Sequence, residues 1–190
     1  MYRAMCFRGI VDKEMEKIWK APCPMKIKHF LWLAHRDRIQ SAEQLQKKGW
    51  GGDVNCSLCG DFESTNHILF VCPMARFVWC WCRDVLNWPY PPKNLDEFFL
   101  LCNHSSAFIN DRLHIMLLAA ICWCLWLTRN NMVFRKTLLY SPLTLPFQII
   151  SLLLQWRKLC RAEEEGKLEQ FAEKMKELTS NLKPRRTGVG

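Results

Sequence analysis

The chain has 190 residues, 49% of them hydrophobic, with 9 tryptophans and a formal net charge of +9. That is enough apolar material for one ordinary core with a helical appendage, and it excludes an intrinsically disordered chain. The charge is uneven: residues 1–55 carry a net +5, residues 56–100 a net −2 and residues 101–160 a net +5. A basic excess favours a polyanionic partner through counterion release, although a solvated surface would account for it equally well.

Eleven cysteines, an odd number, follow a start (Met1-Tyr2-Arg3-Ala4-Met5-Cys6) that lacks a continuous apolar signal core. The expectation is a reducing compartment, nuclear or cytoplasmic, with cysteines serving as metal ligands or core residues rather than as disulfides.

Pro24 can open a helix on which Ile27, Phe30, Leu31 and Ala34 recur at helical spacing. Ser41-Ala42-Glu43-Gln44 has the form of a capping box, and the short helix it starts should stop at Gly49. A turn over 49–55 precedes a cysteine cluster, after which Pro73 can open a helix with Phe77, Val78, Trp81 and Val85 on one face. Three prolines between Asn87 and Pro92 break the chain. A small helix near Leu95–Leu101 follows, then a longer one from about Asn110 to Lys136. The apolar run Ile115–Leu127 is 13 residues, short of the roughly 20 needed to span a bilayer, and is read as a buried core helix with no membrane partner. Pro142 and Pro146 interrupt before a final helix from about Phe147 to Leu182, and Lys183–Gly190 reads as a disordered tail. The predicted class is all-α, divided as a zinc-binding unit (1–90), a helical linker region (91–140), a C-terminal helix (141–182) and the tail (183–190).

The chemistry concentrates in Cys56-x-x-Cys59, seven residues, His67, four residues, Cys72. Thiolate and imidazole are what a tetrahedral zinc takes, and a Cys-x-x-Cys turn presents two sulfurs together, with Gly60 helping the chain fold back. Ser64 or Thr65 can cap a short helix carrying His67 and Cys72 about a turn and a half apart. Four protein ligands leave no open position, so the expected site is one structural zinc and not a hydrolytic centre. Cys80 and Cys82 lie close enough in sequence to compete as the fourth ligand, whereas Cys122 and Cys124 read as core. Lys26, Lys28, Arg36 and Arg38, with His29 and His35 among them, form a candidate phosphate-contacting face, with Arg129 as a further candidate; a plain solvated face is the competing reading.

Ile18-Trp19-Lys20, Pro24-Met-Lys-Ile-Lys-His-Phe-Leu-Trp32, then Cys56, Cys59, Glu63, His67 and Cys72-Pro73 occur in an order that resembles the zinc-binding domain of plant non-LTR retrotransposon reverse transcriptases. Trp79 and Tyr2 are similar to that family's tryptophan after the last cysteine and its early tyrosine, and Trp126-Leu-Thr-Arg129-Asn130 resembles the stretch that follows the domain. The polymerase aspartates would precede residue 1, and the RNase H carboxylates expected after Arg129-Asn130 give way to a Glu-rich helix. The resemblance therefore implies zinc binding and, by analogy, an accessory contact with RNA or DNA, without catalysis or a small-molecule substrate. A protein-interaction module, or a fragment of an element with no function of its own, is the alternative.

Overall fold

The computed structural model describes residues 12–104, 109–137 and 141–182; Tyr2 and the tail expected from 183 lie outside them. The architecture is all-α, as expected, and the isolated antiparallel bridge Asn55–Phe62 is the strand-like pairing among the described residues.

Helix α1 (Lys13–Lys20) starts where Asp12 Oδ1 accepts the Met15 N–H at 3.0 Å. Pro24 precedes α2 (Met25–His35), which buries Ile27, Phe30 and Leu31. Ser41 caps the short α3 (Ala42–Gln46) by accepting from Gln44 N, but the return arm of the capping box is absent. The Gln44 amide instead donates to Asp37 Oδ2 at 3.0 Å. The chain then turns at Gly49, in the left-handed region at φ +86°.

After the cysteine cluster, α4 (Pro73–Leu86) begins on the expected proline and ends at Asn87, whose left-handed backbone (φ 54°) needs no glycine because Asn tolerates it. It buries Val78, Trp79, Trp81, Cys82 and Val85, with Phe77 only partly covered. Helix α5 (Leu95–His104) leads to α6 (Asp111–Arg135), the central helix of the molecule. It packs on α1, α2, the turn that carries His67, and the next helix. Being surrounded on all sides explains its lack of a polar face from Leu113 to Cys122. At 25 residues α6 is long and apolar enough to cross a membrane by length and composition, but 72% of its most apolar window is buried inside the protein.

The single C-terminal helix expected over 147–182 is two helices. Helix α7 (Thr144–Trp156) starts before Pro146, which sits in its first turn where the missing N–H is not needed. A short 3₁₀ turn (Arg157–Leu159) and extended backbone at Cys160 and Arg161 then reverse the chain into α8 (Ala162–Asn181). The break is held by the buried Glu164, which accepts from Arg161 N (3.0 Å), Asn110 Nδ2 (2.9 Å) and Arg112 Nε (2.9 Å). These bonds tie the start of α8 to the start of α6. Folding back lets α8 bury Leu168, Phe171, Ala172 and Met175, and Trp81 Nε1 on α4 donates to Thr179 Oγ1 at 3.1 Å.

Candidate metal centre

Residues 54–63 form a tight loop that doubles back on itself: Glu63 N donates to Val54 O (2.9 Å) and Cys56 N to Asp61 O (2.7 Å). Gly60 sits at the reversal with φ +79°, donating its N–H to Cys56 O at 2.9 Å. This conformation is costly for any residue with a Cβ. It brings Cys56 and Cys59 to the same side.

Ser64 Oγ accepts the His67 N–H at 3.0 Å and so caps the following segment, leaving Thr65 free of that role. From His67 to Val71 the winding is of π type, and Cys72 N donates to His67 O at 2.8 Å. In an ordinary α-helix residues five apart are roughly 140° out of phase and would point away from each other. The wider turn returns His67 and Cys72 to one face, a device common at functional sites. The five-residue spacing of His67 and Cys72 does not reveal this winding.

The ligand atoms of Cys56, Cys59, His67 and Cys72 all lie within 4.8 Å of one another. Cys56 Sγ and Cys72 Sγ are 3.9 Å apart, and Cys59 Sγ is 3.3 Å from His67 Nε2. A tetrahedral zinc with bonds of about 2.3 Å to sulfur and 2.0–2.1 Å to nitrogen separates two sulfurs by about 3.8 Å and a sulfur and a nitrogen by about 3.6 Å. The donor set therefore fits zinc. The same 3.9 Å is far beyond a disulfide bond of about 2.05 Å, so the cysteines are free thiols. The hydrogen bond between the two sulfurs lowers the Cys56 thiol and raises the Cys72 thiol. Cys80 and Cys82 are outside the cluster. Cys82 is buried on α4 near Cys102, and burial raises its thiol. Cys122 and Cys124 are core, as expected.

Glu63 links this loop to α6. It is 1% exposed, accepts the Ala42 N–H at 2.9 Å, and receives the Arg129 guanidinium in a fork, with Nε 3.1 Å from both carboxylate oxygens and Nη2 2.5 Å from Oε1. Arg129 also donates to Asn130 Oδ1 at 3.0 Å and lies over the Trp126 and Phe134 rings. The expectation that Arg129 contacts phosphate is thereby corrected: its side chain is 10% exposed and committed to Glu63, because a buried carboxylate needs a buried cation.

The other basic candidates remain at the surface. Lys26 extends over the Trp123 ring (5.1 Å), Lys28 Nζ donates to Trp19 O (2.9 Å), and Arg36 and Arg38 are exposed just past α2. On α2, Met25, Lys28, His29, Trp32 and Arg36 fall within about 100° of arc opposite the buried Ile27, Phe30 and Leu31. His29 stacks on Trp32 along this stripe, with ring centroids 5.4 Å apart. His35 is drawn away from it by Asp12 Oδ2, 3.1 Å distant.

A tight loop and a π-type turn bring three cysteines and one histidine together in an all-α protein, a donor set that suits zinc. Residues 1–79 match the family described as zinc-binding in reverse transcriptase. An Arabidopsis thaliana protein bearing a ribonuclease H name is 30% identical over 63 residues, which cover 33% of this chain and 10% of that relative. No solved structure matches.

Proposed function

We propose that this chain is a non-catalytic, retrotransposon-derived module that binds one structural zinc through Cys56, Cys59, His67 and Cys72 and contacts RNA or DNA through the outer face of α2. The observation that carries the reading is the closed donor set: four protein atoms within 4.8 Å, three of their residues buried, in the segment that matches the reverse-transcriptase zinc family. A site filled by four protein ligands keeps no position for water or substrate, so the ion's binding energy becomes folding energy. Lys26, Lys28, Arg36 and Arg38 beside the His29–Trp32 stack supply charge and a stacking surface, the two elements that single-strand binding uses. The relative's ribonuclease H name is in keeping with a nucleic-acid setting. The ten free cysteines among the described residues suit a reducing nuclear or cytoplasmic compartment.

Elemental analysis of the purified protein should give about one zinc per chain, and a Cys59→Ser, His67→Ala variant should lose both the metal and the cooperative unfolding transition. Metal-free protein that still unfolds cooperatively would refute the structural site. Anisotropy titrations with a 20-nucleotide single strand should then weaken with salt, at a log–log slope of about −3 if four side chains each neutralise a phosphate. A second reading, a protein-docking module, is favoured by exposed Met25 (68%) and Phe134 (71%). It gains if nucleic-acid binding is undetectable while zinc is retained.

A further inference from the structure

The outer stripe of α2 does not stop at that helix's edge. Lys26 reaches across the seam to α6, with Nζ 5.1 Å from the Trp123 ring centroid, and the buried Phe30 packs edge-on against Trp123 and tilted against Trp126. On α6, Trp123, Leu127, Asn131 and Phe134 fall within about 80° of arc, so they form one stripe roughly 16 Å long that continues the face of α2. Leu127 is 42% and Phe134 71% exposed, on a helix whose first half is buried all round.

Phe134 is exposed but held in place. The Arg129 guanidinium lies 5.8 Å from its ring centroid, and that guanidinium is fixed in turn by the buried Glu63. Trp32 is steadied by the His29 ring stacked on it. An exposed apolar face with positioned rings marks a binding surface. Its charge decides for what. Met25–His35 and Leu113–Lys136 carry Lys26, Lys28, Arg129, Arg135 and Lys136 and no carboxylate. Asp37, just past α2, is engaged by Gln44. A polyanion that also offers flat ring faces matches both features, because every unpaired base has a π-face that stacks on aromatic side chains. An apolar protein partner would strand the lysines without counter-charge, and a duplex keeps its base faces inside its own stack.

We propose that the α2–α6 seam binds unpaired nucleotides: Phe134 and Trp32 stack on bases, and Lys26 and Lys28 hold phosphates. The inference rests on the nucleic-acid reading above and narrows it in two ways, to a strand with free bases and to a surface that includes α6. Stacking on the rings is sequence-tolerant, so the seam binds without reading sequence. Arg129 stays out of the phosphate contacts and acts through Phe134, whose ring it positions.

The test uses the zinc-loaded full chain and three probes: a single strand of about ten nucleotides, an abasic strand of the same length, and a hairpin duplex with the same number of phosphates. Fluorescence anisotropy at one fixed salt concentration should show the single strand binding at least tenfold tighter than either of the others. Phe134→Ala and Trp32→Ala should each weaken the single strand severalfold and leave the abasic strand unchanged, and Phe134→Trp should restore the parent affinity. Phe134 is exposed, so its removal leaves the core intact. Lys26→Gln with Lys28→Gln should weaken all three probes and flatten the single-strand salt slope by about 1.4. Equal, salt-dependent affinity for the three probes, or unchanged single-strand affinity in Phe134→Ala, overturns the base-stacking inference while the nucleic-acid reading stands. No binding of any probe overturns both and leaves the face to a protein partner.

Discussion

Replacing Arg129 by Met tests the link between the metal loop and the central helix. The guanidinium supplies every side-chain donor that reaches Glu63, whose side chain is 2% exposed; after the substitution only the Ala42 N–H remains. Stripping the partner from a buried charge costs about 3–5 kcal/mol, and in a chain of this size each kcal/mol moves the melting temperature by roughly 2–4 °C, so a fall of roughly 6–20 °C is expected. Glu63→Gln should cost less, about 1–3 kcal/mol, because Arg129 keeps Asn130 Oδ1 and two aromatic faces and lies nearer to water. The double variant removes the stranded charge as well as its partner, so its loss should fall well short of the sum. Urea unfolding of the zinc-loaded proteins, followed by tryptophan fluorescence, gives all three values. An Arg129→Met protein within 1 kcal/mol of the parent, or strictly additive losses, would refute a structural ion pair and return Arg129 to the list of phosphate contacts.

Gly60→Ala should destabilise the loop by about 1–2 kcal/mol through backbone strain alone, since a Cβ there meets nothing within 4 Å; competition with a chromophoric chelator should show weaker zinc retention, and unchanged retention would count against the loop geometry. His114 gives a pH signature. Burial holds its imidazole below the ordinary value of 6.5, and Nε2 has no partner to receive a proton's charge. Its folded form therefore stays neutral while the unfolded chain takes up a proton, so the stability it contributes is complete above about pH 6.5 and is lost as the pH falls through the folded value. A zinc held at the cysteine cluster would add its own acid sensitivity. His114→Phe, which keeps a ring against Trp88, should accordingly show a stability–pH slope between pH 6.5 and 5 shallower by up to about 1.4 kcal/mol per unit. Parallel slopes would contradict the buried neutral state.

The cysteine–histidine cluster was legible because metal chemistry constrains residue type and short spacing together: Cys56, Cys59, His67 and Cys72 lie within seventeen residues. Helix starts at Pro24, Ser41 and Pro73 were legible for a similar reason, since caps and prolines act within a few residues of themselves. Local pattern failed where a long-range partner decided the outcome. Helical periodicity runs unbroken past Arg157, but the chain reverses there because Glu164 bonds Asn110 and Arg112, more than fifty residues earlier. Arg129 resembled a surface cation until the fold set it against Glu63, sixty-six residues away, and the π-type turn at His67 is not encoded in the five-residue spacing that follows it. The sequence by itself determined the cysteine–histidine cluster and most helix beginnings, which depend on near neighbours. Tertiary structure decided which charges are buried and where helices reverse, because both depend on groups brought together from distant parts of the chain.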